Sequence, residues 1–153
     1  MKEQIARVVF VLLGFLPLAV GWFLDYLIMR DPYTFPRAAS ILLGIGMLLI
    51  WFFLGWLSKK FIKSAREAVL FLNTMAVLMI VIHAVQHFIV GAYFANIVGL
   101  VTQNFFLSMI ALTRILTTPM SFLVISLFNL SFIGFGLMLI ASGLGRAVGE
   151  RQE

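Results

Sequence analysis

Cysteine is absent from this 153-residue chain, histidine occurs only twice, and Asp and Glu together number six. The lack of cysteine removes disulfides, thiol redox chemistry, thiolate-bound metals, iron–sulfur clusters and palmitoylation. Charge of either sign is scarce: 11% of residues are Asp, Glu, Lys or Arg, against about 25% in ordinary soluble domains. With 63% hydrophobic residues, the chain has too little polar surface to cover itself in water, so its solvent is a bilayer. Each spanning helix takes roughly 20 apolar residues. Four or five of them occupy most of the length and leave no room for a soluble catalytic domain.

Other classes fall away for want of motifs. The formal charge of +5 comes from 11 Lys and Arg scattered between apolar runs, which make no continuous basic face for nucleic acid. There is no Gly-x-Ser-x-Gly elbow, no P-loop and no pair of carboxylates at catalytic separation. Two histidines four apart on one helix face suit a membrane-bound haem poorly, and no cofactor is expected. Lys2 and Arg7 ahead of an apolar run, with Ala19-Val20-Gly21 after it, have the outline of a secretory leader. The apolar stretch continues through Trp22, Phe23 and Leu24 to Ile28, and so reads as an uncleaved span.

What charge there is acts as punctuation. Uncharged runs cover 8–24, 38–58, 68–113 and 115–145. The expected architecture is an all-α polytopic transmembrane bundle in one domain, with helices at about 7–29, 39–58, 68–90, 96–114 and 119–142. Two prolines and three charges in residues 30–37 mark the first loop. The run at 68–113 is too long for one span and is divided at Gly91-Ala92-Tyr93-Phe94-Ala95. Asn96, Thr102, Gln103, Asn104, Ser108 and Thr113 dilute the fourth helix, so four spans plus a re-entrant segment buried in protein are the alternative to five. Thr117-Thr118-Pro119 has the form of the next helix start, a threonine cap followed by proline. Pro17 predicts a kink in the first helix. Gly145 and Gly149 form one GxxxG spacing, a weak dimerisation signal; Gly14, Gly21, Gly44 and Gly46 read as close packing within the monomer.

Basic residues concentrate in short cytoplasmic loops. Lys59, Lys60, Lys63 and Arg66, together with Lys2 and Arg7, place the N-terminus in the cytoplasm of a multi-pass cell-membrane protein. Five spans put seven of the 11 basic residues on that side, and four spans with a re-entrant segment put eight there. Length favours five and charge favours four; five is the preferred expectation.

Asp25 is the one carboxylate inside an expected span, where a charge costs at least about 2.5 kcal/mol on insertion scales. Counted from the cytoplasmic ends, Asp25, His83 and His87 fall within roughly 6 Å of one another in depth, and the two histidines share a helix face. The three form a candidate proton or ion site, or a structural polar cluster. A metal site is not expected, because Ala84-Val85-Gln86 lacks the glutamate that a metalloprotease helix places after its first histidine. Gln103, Asn104 and Asn129 are expected to hydrogen-bond between helices, and Asn73 and Thr74 likewise. The favoured function is a non-enzymatic accessory, regulatory or assembly subunit, in contact with lipids and with another membrane protein or a second copy. The alternative is a small transporter or ion conductor using Asp25, His83 and His87.

Overall fold

The computed structural model describes residues 2–30, 36–91, 96–118 and 126–151. Helices α1 (Lys2–Leu13) and α2 (Leu16–Arg30) are two parts of one apolar stretch, broken at Gly14 and Phe15. The break has a local cause. A proline ring clashes with the carbonyl four residues before it and has no N–H to offer it. For Pro17 that carbonyl belongs to Leu13, where α1 ends. Then follow α3 (Arg37–Ser58), α4 (Ala65–Val85) with a single π-helical turn (Gln86–Val90), α5 (Ile97–Thr117) and α6 (Leu127–Glu150). No strand occurs among the described residues. Five helices are long and apolar enough to cross a membrane, counting Lys2–Arg30 as one, so the expected all-α bundle of a multi-pass membrane protein is present.

Helix starts follow caps rather than charges. The Ser64 hydroxyl accepts the Glu67 N–H at 3.3 Å, a Ser-x-x-Glu start that begins α4 at Ala65 instead of 68. Asn96 accepts the Gly99 N–H at 2.8 Å and starts α5. The expected start of α6 at Thr118-Pro119 is overturned. Thr117 still belongs to α5, and the hydroxyls of Thr117 and Thr118 donate to the Thr113 and Arg114 carbonyls at 2.9 and 2.7 Å. Pro119 lies outside the described residues. Ser126 caps α6 instead, accepting the Asn129 N–H at 3.1 Å. The last helix also runs to Glu150 rather than 142, and Arg146 lies within it.

That shift decides the course of the chain. Arg146 is 3% exposed; its guanidinium donates to the Ile62 and Lys63 carbonyls, both at 2.8 Å, and to Glu150 at 2.9 Å. Lys59 donates to the Gly149 carbonyl. At the same end, Arg7 pairs with Glu67 at 2.6 Å, and the Lys63 N–H reaches the Glu3 carboxylate at 3.4 Å. The start of α1, the α3–α4 connection and the end of α6 thus meet at one basic end of the bundle. An odd number of end-to-end crossings would separate the first from the last.

Helix α5 accounts for the parity. Asn96, at its start, donates to the Gln86 side chain at 2.8 Å, and Phe128, at the start of α6, stacks on His87. Both helices therefore begin at the end remote from the basic one. Thr113 and Met109 pack against Gly134, which is about 10 Å along α6, whereas Thr113 is about 24 Å along α5. The Ser108 carbonyl and Leu112 likewise meet Gly44, early in α3. Helix α5 gains less than half the depth its length would give. It packs on α2, α3, α4 and α6, and not comparably on α1. Among the five it is the least apolar and the most enclosed. Five membrane-length helices are present, as expected, and α5 is the one that meets its neighbours obliquely.

Close helix approach depends on two glycine positions above all. A Cβ on Gly21 would overlap the Asn104 carbonyl, and one on Gly145 the Phe52 carbonyl. The Gly145/Gly149 spacing therefore serves a contact between α6 and α3 within the chain. A reporter fused after the last residue is expected to read out on the same side of the membrane as one fused before Met1. Opposite readouts would refute the shared end.

Candidate functional site

The three ionisable residues singled out from depth lie in the half of the bundle away from the basic end, as their counting implies. The structure brings two of them together. His83 is fully buried, and His87, one turn on, is exposed. Phe128 of α6 joins them: its ring stacks on His87 at 5.4 Å and 8°, and meets His83 edge-on at 5.5 Å and 78°. Phe106 of α5 lies 6.4 Å from His83. The helix widens just here into the π turn, where the Gly91 N–H reaches back to the Gln86 carbonyl at 3.1 Å. Gly91 ends it with φ of 66°, a left-handed conformation that glycine adopts without penalty. Single π turns recur at functional sites.

Asp25 does not join the pair. It is half-buried on α2, and α2 packs on α5 through Gly21 and Asn104, while the histidines face α5 and α6. Helix α5 intervenes. Among the described residues, no hydrogen bond or ion pair links Asp25 to His83, His87 or Arg30, and no group of three His, Cys, Asp or Glu residues is arranged to hold a metal. Equal depth along two helices is not contact between them.

The amides divide in the same way. Asn104 is buried where α5 meets α2. Gln103 and Asn129 are half-buried and each has a partner; Asn129 stands in the first turn of α6 beside its Ser126 cap.

The tightest polar junction is one the sequence reading left in the background. Asn73 of α4 is fully buried. It accepts the Trp51 indole N–H of α3 at 3.0 Å and donates to the Ser142 hydroxyl of α6 at 2.9 Å and to the Val69 carbonyl at 2.8 Å. One amide thereby ties three helices, and every bond involves side chains far apart in the chain or a carbonyl one turn back. Trp51 and Ser142 carry no such signal in sequence. Thr74, by contrast, is exposed and bonds only to the Leu70 carbonyl at 2.9 Å. Arg7 and Arg146 were legible only as boundary charges; their acceptors, Glu67 and two backbone carbonyls, become visible once the helices are assembled.

No protein-family model, no curated protein and no solved structure matches the chain. The site has to be judged on its own geometry, and what that geometry provides is mechanical: side-chain junctions that lock helices α3, α4 and α6 and fix the chain ends. Interhelical hydrogen bonds in membranes are worth about 0.6 kcal/mol on average and up to about 1.7. Asn73→Ala, which removes two of them and strands the Trp51 N–H, is expected to lower stability in detergent by about 1–3 kcal/mol. Trp51→Tyr should cost less through the polar term. Thr74→Ala, on an exposed face, should leave the unfolding midpoint within error; an Asn73→Ala midpoint equal to wild type would remove the junction from the account.

Proposed function

We propose that the protein is a non-enzymatic accessory or assembly subunit of a cell membrane, acting by helix contacts with a larger membrane protein or a second copy. The observation that carries this reading is the placement of α5 between Asp25 and the two histidines. The rival, a small transporter coupled through Asp25, His83 and His87, needs those groups within reach of one another, and their separation weighs against it. The polar junction at Asn73 and the clamp at Arg146 support the first reading too, since both serve to hold helices in place. Around the end of α4 and the start of α5, Phe88, Ile89 and Ile97 are each at least 70% exposed. That apolar surface beside the π turn is where a partner helix would seat.

Orientation follows from charge. Lys2, Arg7, Lys59, Lys60, Lys63, Arg66, Arg146 and Arg151 belong to the basic end, leaving Arg30, Arg37 and Arg114 elsewhere. The preference of Lys and Arg for the cytoplasmic side supports a cytoplasmic placement of that end, and with it of the N-terminus.

Purification from native membranes in mild detergent is expected to recover a stoichiometric membrane partner or a dimer, diminished by Ile89→Ser or Ile97→Ser. Recovery solely as a monomer would count against the reading. Asp25→Asn and His83→Ala are expected to leave any associated phenotype in place when membrane levels are matched; loss of phenotype with both would favour the transporter.

A further inference from the structure

A crevice of about 450 Å³ opens at the basic end between α1 and the end of α3. Its origin is architectural. The break before Pro17 sends α1 onto α4, so α1 packs chiefly there and not comparably on α3, and α5, which packs on α2 and α3, meets them on the far side of the break. The walls are apolar: Ile5, Val9 and Leu13 from α1, and Leu57 and Phe61 opposite. Ile5, Val9 and Phe61 are 57, 44 and 51% exposed. Lys2 lines the mouth.

The charge at that mouth is uncompensated. Glu3, the acid next to Lys2, lies 3.6 Å from Arg7 and accepts the Lys63 N–H. Glu67 is taken by Arg7 and Glu150 by Arg146. Lys2 and Lys63 are exposed and enter no ion pair among the described residues. The Lys60 ammonium rests 5.5 Å from the Trp56 ring centre, at the level where long basic side chains reach toward headgroups. An apolar slot within the membrane-length part of α1, with the Lys2 ammonium at its mouth, matches a molecule with a hydrocarbon tail and an anionic head. Basic pockets between transmembrane helices bind anionic lipid headgroups on this principle.

We propose that the crevice between α1 and α3 is a binding site for one anionic phospholipid, its acyl chain along Ile5, Val9 and Leu13 and its phosphate beside Lys2. The site does not depend on the accessory role, because the purified chain suffices to test it. Native mass spectrometry of the protein in mild detergent, with equimolar phosphatidylglycerol and phosphatidylcholine of the same chains, is expected to show one retained lipid. Phosphatidylglycerol should be preferred by roughly fivefold, the factor expected for a lysine beside an anionic head. Lys2→Gln, at an exposed position, should erase the preference. Val9→Trp should fill the crevice and reduce retention of both lipids, and Arg30→Gln, at the remote end, should change neither. Equal retention of the two lipids by wild type would overturn the proposal. So would a preference that survives Lys2→Gln, undiminished retention by a Val9→Trp protein that elutes like wild type, or a polypeptide recovered in the lipid's place.

Discussion

An arginine enclosed among apolar helices must satisfy its N–H groups or cost several kcal/mol, and the way Arg146 does so governs the rest of the bundle. Its acceptors are the backbone carbonyls of Ile62 and Lys63, which the turn after α3 leaves without helical partners. One guanidinium thus solves two problems, its own burial and the carbonyls of the connection between α3 and α4. In doing so it ties the end of α6 to the α3–α4 connection, which Arg7, Glu3 and Glu67 tie to the start of α1. Once those three points share an end, the chain between α4 and α6 has to return to the end it left. Within that stretch, α5 meets α3 at Gly44 and α6 at Gly134, both near the starts of those helices.

Polar side chains in a membrane helix are tolerated where protein covers them, and the composition of α5, the most enclosed of the five, suits that demand. Thr102, Asn104, Ser108, Thr113 and Thr117 are all buried. The Thr102, Thr113 and Thr117 hydroxyls donate to carbonyls three or four residues back, so they need no partner elsewhere. Small residues then let backbones approach, as Gly21 does at Asn104 and Gly44 at Ser108. Ile97, Val98 and Leu100 take the outward side. The residues that dilute α5 as a span are therefore those that make it a good inner wedge. The same wedge, with the break before Pro17, divides the bundle into a filled half and a half with an open crevice.

Much of this was legible in the sequence, and the pattern of success has a physical reason. Spans are written in local hydropathy, the Pro17 break in the geometry of one ring, and the shared end in the distribution of charge, where the re-entrant arrangement gathers more basic residues on one side. What stayed hidden was pairing across the chain. Thr118-Pro119 has the local form of a helix start, yet Ser126 is the cap that is used, and at its other end α6 extends to Glu150, burying Arg146 and seating Gly145 against Phe52. Asn73 reads in the sequence as a residue that hydrogen-bonds between helices, but only assembly names Trp51 and Ser142 as its partners.

The fate of Asp25 follows the same distinction. Depth along a helix is a one-dimensional quantity that a residue count delivers at 1.5 Å per residue, and by that measure Asp25, His83 and His87 agree. Contact also needs azimuth and neighbour order, and those are set by which helices touch. Here α2 turns Gly21 to α5, while α4 turns His83 and His87 to Phe128 of α6. The depth match survives and the cluster does not. An intramembrane carboxylate near the remote end then has a simpler role available. Asp25 stands five residues before Arg30, where α2 ends, and the cost of a charge falls toward the end of a membrane helix.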